Sequence, residues 1–234
     1  YDQLTLDENI AAMRRIRLVP RVLRDVSIIN MSTTVLGKRY SIPFGIAPTA
    51  AHRLACDEGE PATAKAAQTY NTLYILSSLS TTSIEEVSQA APDTSKWLQL
   101  YIFKDRSLTV DMIREAEKRG FEAVVLTVDM PIVGKRESDM RLQFKLPTGT
   151  EFAILKDAFK KHSIESIYQT FKLYDLSLDW SSVEWLRSIT KLPIILKGIH
   201  SPHDAKLAVK AGVDAIVVSN HGARQLDTAP ATIE

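Results

Sequence analysis

The sequence predicts an α/β fold in which parallel strands and helices alternate and wind into a (β/α) barrel, present as about six strand–helix units. Three observations lead there. Six short apolar runs rich in Ile, Val and Leu recur without the strict alternation of a half-exposed sheet, as expected of strands covered on both faces. Stretches with helical spacing separate the runs. Most of the units repeat at roughly 25 to 30 residues, enough for a strand, a right-handed crossover and a helix. An open, doubly wound sheet is the alternative arrangement of such units. At 234 residues and 45% apolar content, one domain spanning 1–234 can bury a substantial core.

The strand runs are, in order, "IPFGIAPTA" (42–50), "LYILSS" (73–78), "KWLQLYIF" (96–103), "AVVLTVD" (123–129), "PIILKGI" (193–199) and "AIVVSN" (215–220). The helical stretches between and after them are "EPATAKAAQTYN" (60–71), "TSIEEVSQAA" (82–91), "SLTVDMIREAEKRG" (107–120), "SSVEWLRSI" (181–189) and "SPHDAKLAVKAG" (201–212). Their ends carry chemical signals. Ser83 stands two residues before Glu85, Ser201 precedes Pro202 at the first helical position, and Gly120 and Gly212 sit where a helix should stop. One connection breaks the rhythm. The segment 138–178, between the fourth strand and its helix, is long for a compact domain and mixes lysines with aromatics, so it is expected to be a lid or insertion over a site.

Composition narrows the partners. A formal net charge of +1, with Lys/Arg and Asp/Glu interspersed, offers neither a basic stripe for nucleic-acid phosphates nor a polybasic run for anionic lipid. No stretch reaches the roughly 18 apolar residues that a membrane helix needs. The opening "YDQLTLDENI" is too acidic and polar for a secretory signal. The only cysteine, Cys56, cannot form an internal disulfide. Composition therefore points to a soluble, intracellular protein with no nucleic-acid or membrane partner, and no metal is expected.

In a parallel barrel, chemistry collects where strands end. The ends of the six runs supply Pro48, Thr49 and Ala50; Ser77 and Ser78; Gln99 and Tyr101; Thr127 and Asp129, with Arg136 nearby; Lys197; and Ser219, His221 and Arg224. All six carry hydrogen-bonding or charged groups directed at one rim. Three cations (Arg136, Lys197, Arg224) against one carboxylate (Asp129) imply a bound anion, and planar guanidinium groups suit a carboxylate or phosphate. A histidine among them, with Asp129 available to orient it and stabilise its imidazolium, has the makings of a general base. Proton removal from a carboxylate-bearing substrate is the expectation. Lys197 could instead form a Schiff base as in barrel aldolases, and a non-catalytic fragment that pairs its open edges with another chain is a third reading.

Taken together, "IAPTA", "LSS", "QLY", "LTVD", "KGI" and above all "SNHGARQLD" closely resemble the FMN-dependent 2-hydroxy-acid oxidases and dehydrogenases, the family of glycolate oxidase, from "TLDEN" at residue 5 to the last residue. The resemblance implies an eight-stranded TIM barrel, of which about six units are present. It implies FMN as cofactor, with Pro48, Thr49 and Ala50 against the flavin and Ser77, Gln99, Thr127, Lys197 and Ser219 around it. Lys197 matches the lysine whose charge stabilises the reduced ring. Tyr101, Arg136, His221 and Arg224 match the substrate-binding groups, and His221, Asp129 and Lys197 the catalytic ones. The implied reaction oxidises a 2-hydroxy acid to a 2-keto acid, with oxygen reoxidising the flavin to give hydrogen peroxide. A quinone or cytochrome is the alternative acceptor. Peroxisomal localisation, with the cytoplasm as the alternative, and a homotetramer are also implied. Leu79 stands where some relatives carry a bulky aromatic that narrows the pocket; it either admits larger substrates or simply packs.

Two departures accompany the resemblance. Relatives carry an N-terminal helical segment with a substrate-binding tyrosine, with which Tyr1 does not align. The seventh and eighth strands, whose turns hold the FMN phosphate, have no counterpart in the sequence. The expectation is an incomplete piece of a working oxidase, with open sheet edges and, by itself, weak FMN binding and negligible turnover.

Overall fold

A computed structural model describes residues 2–164 and 167–234; Tyr1 and positions 165–166 of the 138–178 connection lie outside the described residues. Helix α1 (Leu4–Arg15) leads into an extended segment and a small antiparallel hairpin, β1 (Thr33–Val35) and β2 (Lys38–Tyr40). The alternating units follow: β3 (Gly45–Ile46), α2 (Glu60–Thr69), β4 (Leu73–Ser77), α3 (Ile84–Ala90), β5 (Lys96–Leu100), α4 (Arg106–Lys118) and β6 (Ala123–Thr127). The long connection carries α5 (Glu137–Arg141) and α6 (Lys156–Lys161). Then come α7 (Ser181–Ile189), β7 (Ile194–Ile199), α8 (Pro202–Lys210) and β8 (Ala215–Val218).

β3 to β8 form one parallel six-stranded sheet in sequential order. That order decides between the two predicted arrangements. A doubly wound sheet reverses direction at a switch point, whereas here each strand lies beside the preceding one, as in the wall of a barrel. The sheet is the curled, incomplete barrel that the sequence predicts, and β3 and β8 are its edges.

Side-chain parity along the strands separates two packed faces. Ile75, Trp97, Ala123, Val125 and Ile195 pack together on one, joined by Leu73, Ala215 and Val217. Tyr74, Leu76, Leu98, Leu100, Val124, Leu126, Ile194 and Leu196 face the other way and pack with residues of the helices. Val35 of the hairpin reaches the first cluster. The hairpin is further held at the start of β5 and β6 by Tyr40 Oη with Ser95 Oγ (2.8 Å) and by the Lys38–Glu122 ion pair.

Helix boundaries follow their capping chemistry. Ser83 accepts from Glu86 N while the Glu86 carboxylate accepts from Ser83 N (2.7 Å), so the partner is Glu86 rather than the Glu85 noted in the sequence. Ser201 Oγ accepts from Asp204 N with Pro202 at the first position. α1 has no cap of its own. Asp227, from the loop after β8, accepts from Asp2 N (2.8 Å) and Thr5 N (2.9 Å) and serves as one. Asn9, one turn further on, pairs its side-chain amide with that of Asn220.

Several expectations are refined. β3 contains two residues rather than the nine-residue run predicted, because Pro43 and Pro48 bracket it and lack the N–H a ladder requires. β5 ends at Leu100 and not Phe103, although Phe103 makes an isolated bridge to Tyr174. The long connection divides in two. Residues 137–151 are exposed or half-buried, whereas Phe152, Leu155, Ala158, Leu173 and Tyr174 join the main core.

Glu60, fully buried at the start of α2, ties the loops after β3 and β4 together. Its carboxylate accepts from His52 N (3.0 Å), Thr81 N (2.8 Å), Thr81 Oγ1 (2.7 Å) and Thr82 Oγ1 (2.9 Å). Burial pushes its carboxyl up, but these donors together hold it below the ordinary glutamate value. Cys56 lies exposed in the same β3–α2 loop. Glu60→Gln places an NH2 donor among donors and is expected to cost about 2–3 kcal/mol in denaturant unfolding. The wild type should keep the carboxylate's contribution above about pH 4.3 and lose it as pH falls further, a dependence the variant lacks.

Candidate active site

The inner parity of the strands, apolar in their middles, turns polar at their C-terminal ends. Ser77 follows Ile75, Gln99 follows Trp97, Thr127 follows Val125, Lys197 follows Ile195 and Ser219 follows Val217, each two residues on. Register brings them level: Ser77 pairs with Gln99 and Thr127 with Lys197. Gln99 Nε2 donates to Thr127 Oγ1 (2.9 Å), and Gln99 Oε1 accepts from Ser78 N (3.2 Å). Ser77 Oγ accepts from Leu79 N (3.1 Å). Lys197 Nζ donates to Ser219 Oγ (3.1 Å), which also accepts from His221 N (3.1 Å). These polar side chains are tied to one another and to the loops behind them, as a preorganised surface requires.

His221 Nδ1 lies 2.8 Å from Asp129 Oδ1, with the two side chains still 11% and 12% exposed. With Nδ1 held as the donor to the carboxylate, Nε2 is left as the basic atom of the neutral ring. Burial pushes the imidazole below the ordinary histidine value, while the hydrogen bond to Asp129 opposes the shift. The ring is therefore neutral at neutral pH, and Asp129 is in place to stabilise it when it gains a proton. Burial likewise pushes the Lys197 ammonium down, and the Asp129 charge opposes it. Asp129 Oδ2 is buried without a hydrogen-bond partner.

Two glycines make this geometry possible. β7 is irregular between Lys197 and Ile199, and at Gly198 (φ +110°) any Cβ would collide with the Cβ and Cγ of Asp129. Asp129 can thus cross over β7 toward His221 because residue 198 has no side chain. The turn after β8 is left-handed at three successive residues, His221 (φ 59°), Gly222 (64°) and Ala223 (62°). The two non-glycine members cost about 1–2 kcal/mol each in this region. A Cβ on Gly222 would also strike the Arg224 guanidinium, which folds back over the turn.

Tyr101 is buried and donates through Oη to Met130 Sδ (3.6 Å), with its ring 4.8 Å from that of Tyr174. Burial pushes its phenol well up, against the opposing fields of Arg224 and Arg136. Both cations therefore lie near the same hydroxyl. Arg136 precedes α5 and lies 4.0 Å from Asp139. Pro48, Thr49 and Ala50 follow β3 at the far edge, with four strands between them and β8; Ala51 N, just beyond, donates to Leu79 O (3.1 Å). A cavity of about 300 Å³ opens beside the cluster and is lined by Tyr101, Met130, Tyr174, Trp180 and Gly198, but not by His221 or Arg224.

The structure brings His221, Asp129, Lys197, Ser219, Tyr101, Arg136 and Arg224 into one neighbourhood, with Ser77, Gln99 and Thr127 continuing the same inner rim. Leu79 is buried in the main core, which favours packing over widening a pocket. Sequence reasoning missed the supports. Gln225 Nε2 donates to Ile132 O (2.7 Å) and Asp129 O (3.3 Å), and its Oε1 accepts from Gly134 N (2.9 Å), fastening the Asp129 loop to the His221 loop. Gln225, Asn220 and Asp227 all fall within "SNHGARQLD", where the density of polar residues was the available signal.

Comparison with known proteins agrees with this geometry. The sequence model described as "FMN-dependent dehydrogenase" matches residues 1–234. The 2-hydroxyacid oxidase of Dictyostelium discoideum is 48% identical over 234 residues, which cover all of this chain and 60% of that protein. The peroxisomal (S)-2-hydroxyacid oxidase GLO4 of Arabidopsis thaliana is 51% identical, over 99% of this chain and 64% of its own length. The chain thus spans less than two thirds of these curated relatives. A crystal structure of mandelate oxidase with (S)-4-hydroxymandelic acid superposes with a TM-score of 0.92 at 37% identity, covering all of this chain and 66% of that one. With the family model matching residues 1–234, the chain belongs to the FMN-dependent dehydrogenase family.

Proposed function

We propose that the protein oxidises a 2-hydroxy acid to a 2-keto acid, with His221 as the base. The observation that carries this reading is the part-buried His221–Asp129 hydrogen bond beside Lys197 and the two arginines. Neutral Nε2 takes a proton from the substrate, and the Asp129 carboxylate stabilises the imidazolium that results. Arg224 and Arg136 grip the substrate carboxylate, and Tyr101 Oη offers a donor to its hydroxyl group. Fixing the acid between these groups contributes orientation, worth several kcal/mol of barrier in well-aligned cases.

The inner rim fits FMN by the chemistry of its donors. A flavin's pyrimidine edge presents carbonyl oxygens and ring nitrogens, and Ser77, Gln99, Thr127 and Ser219 supply hydroxyl and amide partners on one continuous surface. Lys197 would face the part of the ring that becomes negative, and Pro48, Thr49 and Ala50 would lie against the ring. FMN, when bound, supplies the two-electron acceptor, which oxygen regenerates with release of hydrogen peroxide. The three relatives named above carry oxidase names, which favours oxygen over a quinone or cytochrome. Lys197 as a Schiff-base nucleophile is disfavoured by its bond to Ser219 and by the family.

Residues 137–151 act as a cover in this reading. They leave Met140, Leu142 and Phe144 exposed rather than burying them. The names of two Arabidopsis relatives support a peroxisomal localisation, and the proposed tetramer rests on the family resemblance alone.

Three measurements on the full-length protein test the proposal. His221→Gln should retain the flavin, read from its visible absorbance, and lose about 10² to 10⁴ in kcat; near-normal turnover refutes the base. Because burial depresses the imidazole, kcat/KM should fall with acidification through a limb below about pH 6.5, with the neutral ring and full rate above it. Arg224→Lys keeps the charge but not the planar fork, and KM for the hydroxy acid should rise about tenfold.

A further inference from the structure

The turn that carries His221 is left-handed at three successive residues, two of which are not glycine, so it does not hold that shape from its own backbone preferences. Hydrogen bonds have to impose it. Asn220 opens the turn and is buried. Its Oδ1 accepts from Ala223 N (3.2 Å), and the Asn220 carbonyl accepts from the same N–H (3.0 Å), closing the turn locally. These two bonds fix the shape of the turn but not its position. Position comes from the other contacts of Asn220. Nδ2 donates to Asn9 Oδ1 (2.8 Å) and to Pro230 O (3.2 Å), while Asn9 Nδ2 donates back to Oδ1 (3.3 Å).

Asn9 belongs to α1, more than two hundred residues away in sequence, and α1 is itself fixed to the chain beyond the turn. Asp227 caps its first turn, Thr5 Oγ1 donates to Leu226 O and Ala229 O (3.4 Å each), and Ala229 N donates to Thr5 Oγ1 (2.9 Å). Residues 220 and 226–229 are therefore both anchored on α1, and the segment between them carries His221 and Arg224. On the other side, Gln225 fastens the segment to the Asp129 loop.

We propose that Asn9 and Asn220 are a positioning pair: through their reciprocal amide bonds, α1 sets where His221 stands relative to Asp129. Neither residue touches the reacting atoms. This inference deepens the reading of His221 as the base and rests on it for its kinetic consequence, while its geometric part stands apart from the reaction. Without Asn9, the turn keeps its internal bonds to Ala223 N but loses two of the contacts that locate it. The imidazole then samples positions in which Nδ1 no longer meets Asp129 Oδ1.

The test uses the full-length, flavin-loaded protein and three variants. Asn9→Ala removes the pair, Glu8→Ala removes the neighbouring ion pair with Arg15 on the same helix, and His221→Gln assigns the imidazole signal. The first readout is the downfield nitrogen-bound proton of His221 Nδ1 in NMR, which reports its hydrogen bond to Asp129. The second is kcat with a 2-hydroxy acid, and the third is the melting temperature. Asn9→Ala is expected to broaden or abolish the Nδ1 signal and lower kcat by about ten- to a hundredfold, with melting within a few degrees of wild type. Glu8→Ala is expected to leave all three unchanged. An intact signal and wild-type kcat in Asn9→Ala overturn the proposal, and so do equal losses in Glu8→Ala, which would implicate helix stability instead. A wild-type protein that does not turn over hydroxy acids sinks the functional reading alone, because the Nδ1 signal still decides the role of the amide pair.

Discussion

The hydrogen bond between His221 and Asp129 is the contact on which the organisation of this rim depends. It links a residue just past β6 to one just past β8, and it must pass over β7 to do so. That route exists only because β7 is irregular at Gly198 and has no side chain there. The order of strands, the bulge and the missing Cβ are thus parts of one arrangement. The same contact sets the chemistry. Burial favours the neutral imidazole, the carboxylate favours the charged one, and a group poised between the two can accept a proton and return it.

Parity explains why the polar rim and the apolar core coexist on one face. Strands buried on both sides offer every second side chain to the interior, so two steps along the chain change Ile195 into Lys197 and Val125 into Thr127 without altering direction. Apolar residues close the lower interior, with Val35 of the hairpin against them, and polar residues end it above. A one-residue slip in any of these strands would turn its rim residue into the helical layer, so the packing that stabilises the sheet also aims the site.

Most of this was legible in the sequence because it rests on local patterns. The runs "AVVLT" and "PIILKGI" are apolar, short and β-branched, and they read as buried strands from composition alone. Rim residues were legible because strand ends are where such folds place chemistry. What escaped depended on contacts between distant segments. α1 is capped by Asp227 and not by its own residues, so no boundary signal preceded it. The hairpin strands span three residues each around Leu36 and Gly37, too short for any period to register. Gln225 and Asn220 stood in plain view in the motif, yet their partners, Ile132 and Asn9, lie roughly ninety and two hundred residues away. The 138–178 connection stood out by its length, but nothing local in it announced that Phe152, Leu155, Ala158, Leu173 and Tyr174 join the core or that Tyr174 bridges Phe103.

The loop that carries Cys56 gives the molecule an unplanned experimental handle. It is the single thiol in the sequence, it is exposed, and it sits on a loop whose neighbour His52 is tied through Glu60 to the β4 side of the rim. A maleimide dye attached there needs no engineered cysteine. Its fluorescence would report, in real time, any rearrangement at the β3 edge of the barrel.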